Sequence, residues 1–274
     1  MRVAAFFLAA LCLLLGGSPD ASSAQTLDGA NTTEIGSSWK AVGRLDVSDQ
    51  GFCTAAIIDI DLVITAAHCV IDHHTDAPVS VSRLTFRAGL RQGIAAVTRQ
   101  ARSITIHPAF DYFSDEPTDR SAHDLALIQL AQPIRLPDIE PFATAVASLT
   151  AANVTLVSYD KDHADSPILQ EGCRFVGVAN EMLVTDCEAD FGTSGAPVFQ
   201  QVGSHLAIVS VVSAMGELDD GRRVTLGPDI AATLPAVIAA SLAGTGALGR
   251  NPPPQVRVIT PGERTHTGAK FIRP

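Results

Sequence analysis

The stretch that decides the fold of this chain is an apolar strand that runs into small residues and ends in two reactive side chains. It reads Leu62-Val63-Ile64-Thr65-Ala66-Ala67-His68-Cys69. A run of branched apolar residues is typical of a buried strand. A single histidine beside a cysteine is more often structural than catalytic, so its interpretation depends on what the rest of the chain supplies.

Short apolar segments like this one recur along the chain, with turns between them. The predicted strands are 41–47, 52–58, 62–65, 79–88, 95–106, 125–130, 154–159, 174–178, 182–185, 197–199 and 206–213. This spacing, together with 21 glycines and 16 prolines, favours an all-β chain of barrels or sandwiches. One late helix is predicted, with Thr233 as its cap, Pro235 in its first turn and Gly244 after its end.

Composition excludes two classes of protein. The 274 residues are 46% hydrophobic and 18% charged, whereas disordered chains have too few apolar side chains to build a core. The net charge of −10 argues against a nucleic-acid partner, because phosphate contacts need a basic surface.

The first 24 residues have the pattern of a signal peptide. Arg2 is followed by an apolar run over 3–15, and Ser22-Ser23-Ala24 offers a cleavage site after Ala24. The run is shorter than the roughly 20 residues that a membrane helix needs. We therefore expect a secreted or periplasmic protein with no membrane contact in its mature form.

Cleavage there removes Cys12 and leaves Cys53, Cys69, Cys173 and Cys187. An even number of cysteines in an exported chain predicts disulfides. Of the three possible pairings, Cys53–Cys69 and Cys173–Cys187 close the most local loops and are preferred. Zinc binding is the competing interpretation, but no Cys-x-x-Cys spacing supports it. We predict no metal and no cofactor.

Two further segments carry polar groups in unusual places. Asp124 opens the apolar strand 125–130, so its carboxylate is expected to be partly buried and to need a partner. Ser194 lies in the turn Gly192-Thr193-Ser194-Gly195, where backbone N–H groups can converge. A serine nucleophile needs a base, a carboxylate that orients the base, and N–H donors for the developing oxyanion. The order His68, Asp124, Ser194 supplies all of these parts.

In these motifs the chain resembles the trypsin/chymotrypsin-like serine peptidases, and most of all their secreted bacterial branch. The matching segments are 65–69 with Cys53 upstream, 106–108, 124–127, 192–197 and 208–210. The resemblance extends from Trp39 to Gly244. Thr193 departs from it, since many animal members have an aspartate there that pairs with a freshly cut N-terminal amine.

The resemblance implies two packed antiparallel six-stranded β-barrels with a C-terminal helix. The expected divisions are a signal peptide at 1–24, an N-terminal segment or short propeptide at 25–38, a first barrel at 39–140, a second barrel with the helix at 141–247, and a Pro-rich basic tail at 248–274. The active site would lie in the cleft between the barrels.

The resemblance also implies roles for individual residues. Ser194 would be the nucleophile, His68 the general base and Asp124 the carboxylate that orients it. The N–H groups of Gly192 and Ser194 would form the oxyanion hole. The expected function is that of a serine endopeptidase, a monomer acting on protein or peptide substrates.

Substrate-binding residues are less clearly marked. Glu188 lies six residues before Ser194, where trypsin-like members place the acid that binds Lys or Arg, but a solvated loop carboxylate is the preferred interpretation. The strand 208–210 resembles the one that receives the substrate backbone, which assigns Ser210 to the substrate. Val212 would then narrow the specificity pocket.

Two other functions compete with the endopeptidase. A catalytically silent binding protein could use the same scaffold. An esterase of the α/β-hydrolase type would need Gly-x-Ser-x-Gly and the order Ser, Asp, His, and the chain has neither.

Overall fold

The computed structural model describes residues 25–26, 38–75, 77–114, 117–151, 153–244 and 247–248. The predicted signal peptide and nearly all of the predicted tail lie outside these residues. The strands are β1 Gln25–Thr26, β2 Val42–Val47, β3 Gly51–Asp59, β4 Leu62–Thr65, β5 Leu84–Ala88, β6 Val97–Ile106, β7 Ala126–Leu130, β8 Ala143–Thr144, β9 Asn153–Ser158, β10 Ile168–Ala179, β11 Met182–Thr185, β12 Pro197–Val202, β13 His205–Val211, β14 Ala214–Glu217, β15 Arg223–Pro228 and β16 Ala247–Leu248. The helices are α1 Pro117–Ala122 and α2 Ile230–Ala243.

The first barrel is a closed antiparallel sheet. Its strands pair in the order β6-β5-β2-β3-β4-β7, and β6 also pairs with β7, which closes the ring at six strands. Side chains such as Leu45, Phe86 and Ile128 fill its interior and are 0–1% exposed. Alternate residues of each strand point inward, so the apolar periodicity seen in the sequence becomes the barrel core.

The second sheet follows the order β14-β15-β11-β10-β9-β12-β13, with β8 added to β13. Its two end strands, β13 and β14, are separated in the chain by only Val212 and Ser213, so the sheet curls back on itself. These strands confirm the predicted fold class of two packed β-barrels. The sequence did not predict β14 or β15, because their residues include Gly216, Gly227 and Pro228, which weaken a strand pattern.

The two barrels share one buried layer. Apolar residues of the first barrel, such as Leu127, meet Tyr159 and Phe199 of the second. Trp39 packs against Phe199 with ring centroids 5.0 Å apart. The α2 residue Val237 belongs to the same cluster, so the helix packs against the interface between the barrels.

The helix begins one turn earlier than the sequence predicts. Asp229, not Thr233, is its N-cap, because the Asp229 carboxylate accepts a 2.9 Å hydrogen bond from the N–H of Ala231. The Thr233 hydroxyl instead donates to the backbone oxygen of Asp229. The C-cap is Gly244 in the left-handed conformation, as expected for a helix end. Within the described residues, neither helix is long and apolar enough to cross a membrane.

Candidate active site

His68 lies in a single 3-10 turn, Ala67–Val70, directly after β4. The turn is fixed from two sides. Cys69 forms a disulfide with Cys53 of β3, and the His68 N–H donates to Asp124 Oδ1 over 2.8 Å. The His68 side chain is 25% exposed, so one edge of the ring reaches solvent while the backbone below it is held.

Asp124 is the buried partner of this histidine. It precedes β7 and is 2% exposed. Its Oδ2 lies 2.6 Å from His68 Nδ1 and accepts a 2.5 Å hydrogen bond from the Ser213 hydroxyl. A buried carboxylate needs several donors, and these contacts supply them. They also orient the imidazole so that Nδ1 faces Asp124 and Nε2 faces away from it.

The surroundings of His68 favour its protonated form. Burial by itself would lower the pKa of His68, but the negative charge of Asp124 and the hydrogen bond to it raise the pKa above the ordinary value of 6.5. The nearby charge of Arg120 opposes this rise in part. The ring is therefore a stronger base than a free histidine, which suits a group that accepts a proton during a reaction.

Ser194 lies in a tight turn between Gly192 and Gly195 that leads into β12. Both glycines have positive φ angles, 98° and 75°. A Cβ atom on Gly195 would overlap Thr65 Oγ1 and the Thr54 carbonyl oxygen, so only glycine lets the turn approach the first barrel this closely.

Thr54 of β3 connects this turn to the first barrel. Its N–H donates to the Ser194 carbonyl over 2.8 Å. Its hydroxyl donates to the Gly192 carbonyl and accepts from the Tyr159 N–H, each over 2.9 Å. The serine turn is thus tied to β3 at two points, a link that no sequence motif indicated.

The turn presents two unused donors. The Phe191 carbonyl accepts from the Lys161 N–H over 2.8 Å, and the Thr193 carbonyl accepts from the Ala196 N–H over 2.9 Å. Because a peptide group is planar and trans, the next N–H points away from each bonded carbonyl. Across the described part of the chain, the N–H groups of Gly192 and Ser194 donate to no protein acceptor. Such free N–H donors can bind a developing negative charge.

His68 and Ser194 line one cleft of about 410 Å³. Phe52, Lys161 and Phe191 also line it. Among the described residues, no hydrogen bond joins the Ser194 hydroxyl to the His68 ring. Catalytic hydrogen bonds are often long without substrate and shorten in the substrate complex, so the shared cleft is the informative observation.

The cluster of Cys53, His68 and Cys69 does not fit a metal ion. Their donor atoms lie within 4.8 Å of one another, as ligands of one ion would. However, the two sulfurs are bonded to each other with an S–S distance of 2.08 Å. Zinc is bound by thiolates, and a disulfide supplies none. The second disulfide joins Cys173 to Cys187, so both pairs are those predicted from the sequence.

Glu188 lies apart from this cleft. It is exposed, and its backbone N–H and C=O both bind the Gln170 side chain, over 2.8 and 2.7 Å. It lines a second cavity of about 290 Å³ together with the charged residues Asp160, Asp162, Asp190 and Arg223. Its predicted part in substrate selection stays a prediction.

The structure places the side chains of Ser210 and Val212 inside the second barrel. Ser210 is 2% exposed and its hydroxyl donates to the Pro228 carbonyl inside the second barrel. Val212 is 3% exposed and its carbonyl accepts from the N–H of Gly195. Neither residue lines the cleft of His68 and Ser194, and their predicted contacts with the substrate stay predictions. Ser213, three residues after Ser210, is the residue of this segment whose hydroxyl binds Asp124. Sequence reasoning missed Ser213. Its position directly after the largely apolar segment 206–212 was the signal that could have found it.

Comparison with known proteins agrees with the fold. The sequence model of the family described as Trypsin matches residues 28–226. The match covers more than half of the chain, which therefore belongs to the trypsin-like serine peptidase family.

Two relatives are insect proteins. The chain is 27% identical over 135 residues to "Trypsin" of Sarcophaga bullata, a match that covers 49% of this chain and 48% of that protein. It is 29% identical over 112 residues to "Venom serine protease 34" of Apis mellifera, covering 39% of this chain and 27% of that protein. The chain thus spans about half of the first relative and about a quarter of the second.

Proposed function

We propose that the chain is a serine endopeptidase in which Ser194, His68 and Asp124 are the catalytic residues. The observation that carries the proposal is the buried Asp124 carboxylate, 2.6 Å from His68 Nδ1, with His68 and Ser194 in one cleft. Membership of the trypsin-like family supports the reaction class.

The proposed reaction forms and breaks an acyl-enzyme. Ser194 Oγ attacks the substrate carbonyl carbon while His68 takes the hydroxyl proton, and the N–H groups of Gly192 and Ser194 bind the resulting oxyanion. His68 then protonates the amine as the C–N bond breaks. A water molecule, deprotonated by His68, attacks the acyl group and releases Ser194 with its proton restored. Asp124 stabilises the protonated His68 throughout.

The same proposal covers the setting of the enzyme. Its substrates are proteins or peptides, and it acts as a monomer without nucleic acid, cofactor or mature membrane contact. Two disulfides are typical of proteins in an oxidising compartment outside the cytosol. Export by the segment 1–24, the domain divisions drawn from the sequence, and placement in a bacterial branch stay predictions.

A binding protein on the same scaffold is the second candidate. A protein kept only for binding would not need a hydrogen bond between Ser194 and His68, and the described residues contain none. A binding protein would hold peptides without cleaving them, so turnover separates the two functions.

The test is cleavage of a mixed peptide library by the wild-type protein and by Ser194→Ala. Wild-type protein should cleave, and loss of the nucleophile should lower kcat by at least about 10⁴-fold. Ser204→Ala, at an exposed position in the β12–β13 turn, is the control and should cleave normally. Library binding without cleavage by the wild-type protein would support the binding protein instead.

The library also reports the preferred residue before the cleaved bond. A preference for Lys or Arg that Glu188→Gln removes would assign Glu188 to the specificity pocket. An unchanged preference in Glu188→Gln would assign it to the solvated loop.

A further inference from the structure

The two residues directly before Gly192 are held by a ring of contacts to Lys161. The Lys161 N–H donates to the Phe191 carbonyl over 2.8 Å. The Lys161 ammonium lies 2.5 Å from Asp190 Oδ2. The second carboxylate oxygen, Asp190 Oδ1, accepts from the Phe191 N–H over 2.7 Å. Both peptide groups of Phe191 are thereby fixed.

These contacts hold the peptide group that carries the Gly192 N–H. The Phe191 carbonyl and the Gly192 N–H belong to one planar peptide, so they point in opposite directions. Rotation of that peptide would turn its N–H out of the cleft and bring a carbonyl oxygen toward the oxyanion. Gly192 has a φ of 98° and no side chain to resist the rotation, so the resistance has to come from neighbouring groups.

Lys161 stands on a turn that is itself anchored. The Asp160 carboxylate accepts from the N–H groups of Asp162 and His163 over 2.9 and 2.7 Å. The Tyr159 N–H is bound to the Thr54 hydroxyl of β3. Lys161 also lines the cleft that holds His68 and Ser194. The turn that carries Lys161 is therefore connected to the first barrel by the hydrogen bond between Tyr159 and Thr54.

Both members of the ion pair are charged at neutral pH. The hydrogen bond to Asp190 raises the pKa of Lys161, and the same bond lowers the pKa of Asp190. The side chains are 52% and 39% exposed, so the pair contributes little to overall stability. A change of either residue should therefore leave the fold intact.

We propose that Lys161 is a positioning residue of the oxyanion hole, which holds the Gly192 N–H in the cleft through the Asp190 carboxylate and the Phe191 carbonyl. The inference rests on the proposed function. The contacts of the ring come from residues 161, 190 and 191. In many animal members of the family, an aspartate at the position of Thr193 pairs with a freshly cut N-terminal amine. The contacts of Lys161 form without such an amine, which is consistent with a threonine at this position.

The test compares Lys161→Met with Lys161→Arg and with Lys40→Met. Lys40 forms an ion pair with Asp138 of the same length, 2.5 Å, and does not line the cleft. We expect Lys161→Met to lower kcat about fivefold with KM unchanged, the size of effect that an exposed ion pair can have. Lys161→Arg should restore most of the rate, and Lys40→Met should keep all of it.

A peptide boronate gives the second readout, because its adduct with Ser194 is tetrahedral and places an oxygen in the oxyanion hole. Its affinity should fall with kcat in Lys161→Met. The double variant Lys161→Met/Asp190→Asn should be no slower than the slower single variant, since both remove one contact.

The outcomes separate this inference from the proposed function. An active wild-type enzyme with Lys161→Met equal to Lys40→Met would overturn the role of Lys161. A rise in KM at constant kcat would also overturn it, because Lys161 would then bind substrate instead of positioning the loop. A wild-type protein that cleaves no peptide would overturn the proposed function, and this inference with it.

Discussion

At the scale of single residues, the proposed catalysis depends on Asp124 and His68. The sequence could predict that Asp124 is buried, because it opens an apolar strand, and that a buried carboxylate needs a partner. It could not predict Ser213 as a second donor to Asp124. That contact joins residues 89 positions apart, and only the packing of the two barrels brings them together.

The raised pKa of His68 gives a prediction for the pH dependence of activity. Only neutral His68 can accept the Ser194 proton, so activity rises with pH as the ring loses its proton. Because the pKa lies above 6.5, the midpoint of the rise in kcat/KM should also lie above pH 6.5. A midpoint below pH 6.5, or a flat profile from pH 5 to 9, would contradict the role of His68.

The Asp124→Asn variant checks the cause of that shift. It removes the charge that raises the pKa, so the His68 midpoint followed by NMR should move down. The kcat should fall by about 10⁴-fold. Asp219→Asn, at an exposed loop position, is the control and should change neither value.

At the scale of elements, the serine turn is built against β3 of the other barrel. The sequence could predict a tight turn from Gly192 and Gly195. It could not predict Thr54 as its anchor, because Thr54 reads as one more residue of an apolar strand. Its hydroxyl finds both partners, Gly192 and Tyr159, only after the barrels pack together.

Thr54→Val tests this anchor. The change leaves the buried Tyr159 N–H and the Gly192 carbonyl without their partner, so the free energy of unfolding should fall by about 2 kcal/mol. The kcat should fall as well, since the serine turn loses one of its two ties to β3. Thr54→Ser keeps the hydroxyl and should stay within about 1 kcal/mol of the wild-type protein in a urea titration. Equal stability of the Thr54→Val and wild-type proteins would show that the Thr54 hydroxyl does not anchor the serine turn.

Element boundaries were predicted less well than element types. The first barrel's strands follow clear apolar patterns and were nearly all expected. The start of α2 was predicted one turn too late, because Thr233 followed by Pro235 has the sequence pattern of a helix N-terminus. The cap that the structure shows, Asp229, follows Pro228 at the end of β15, a strand that the sequence pattern does not reveal.

At the scale of the whole molecule, the proposed catalysis requires the two barrels to pack against each other. His68 and Asp124 belong to the first barrel and Ser194 leads into β12 of the second. The buried layer that contains Leu127, Tyr159 and Phe199 holds the barrels together. The order of the three motifs along the chain, with the family resemblance, was enough to predict this architecture. The packing of the two barrels against each other could not be predicted, because it depends on side chains that are distant in sequence.

The proposed triad is best tested by covalent labelling with a peptidyl organophosphonate, with the modified residue located by mass spectrometry. The probe reacts with a serine that a neighbouring base has activated, so the result depends on both barrels at once. The proposed triad predicts one label per molecule, on Ser194, in the wild-type and Ser204→Ala proteins, and none in His68→Ala. Wild-type protein with Ser194 unmodified, or a His68→Ala variant labelled as fast as the wild-type protein, would contradict it.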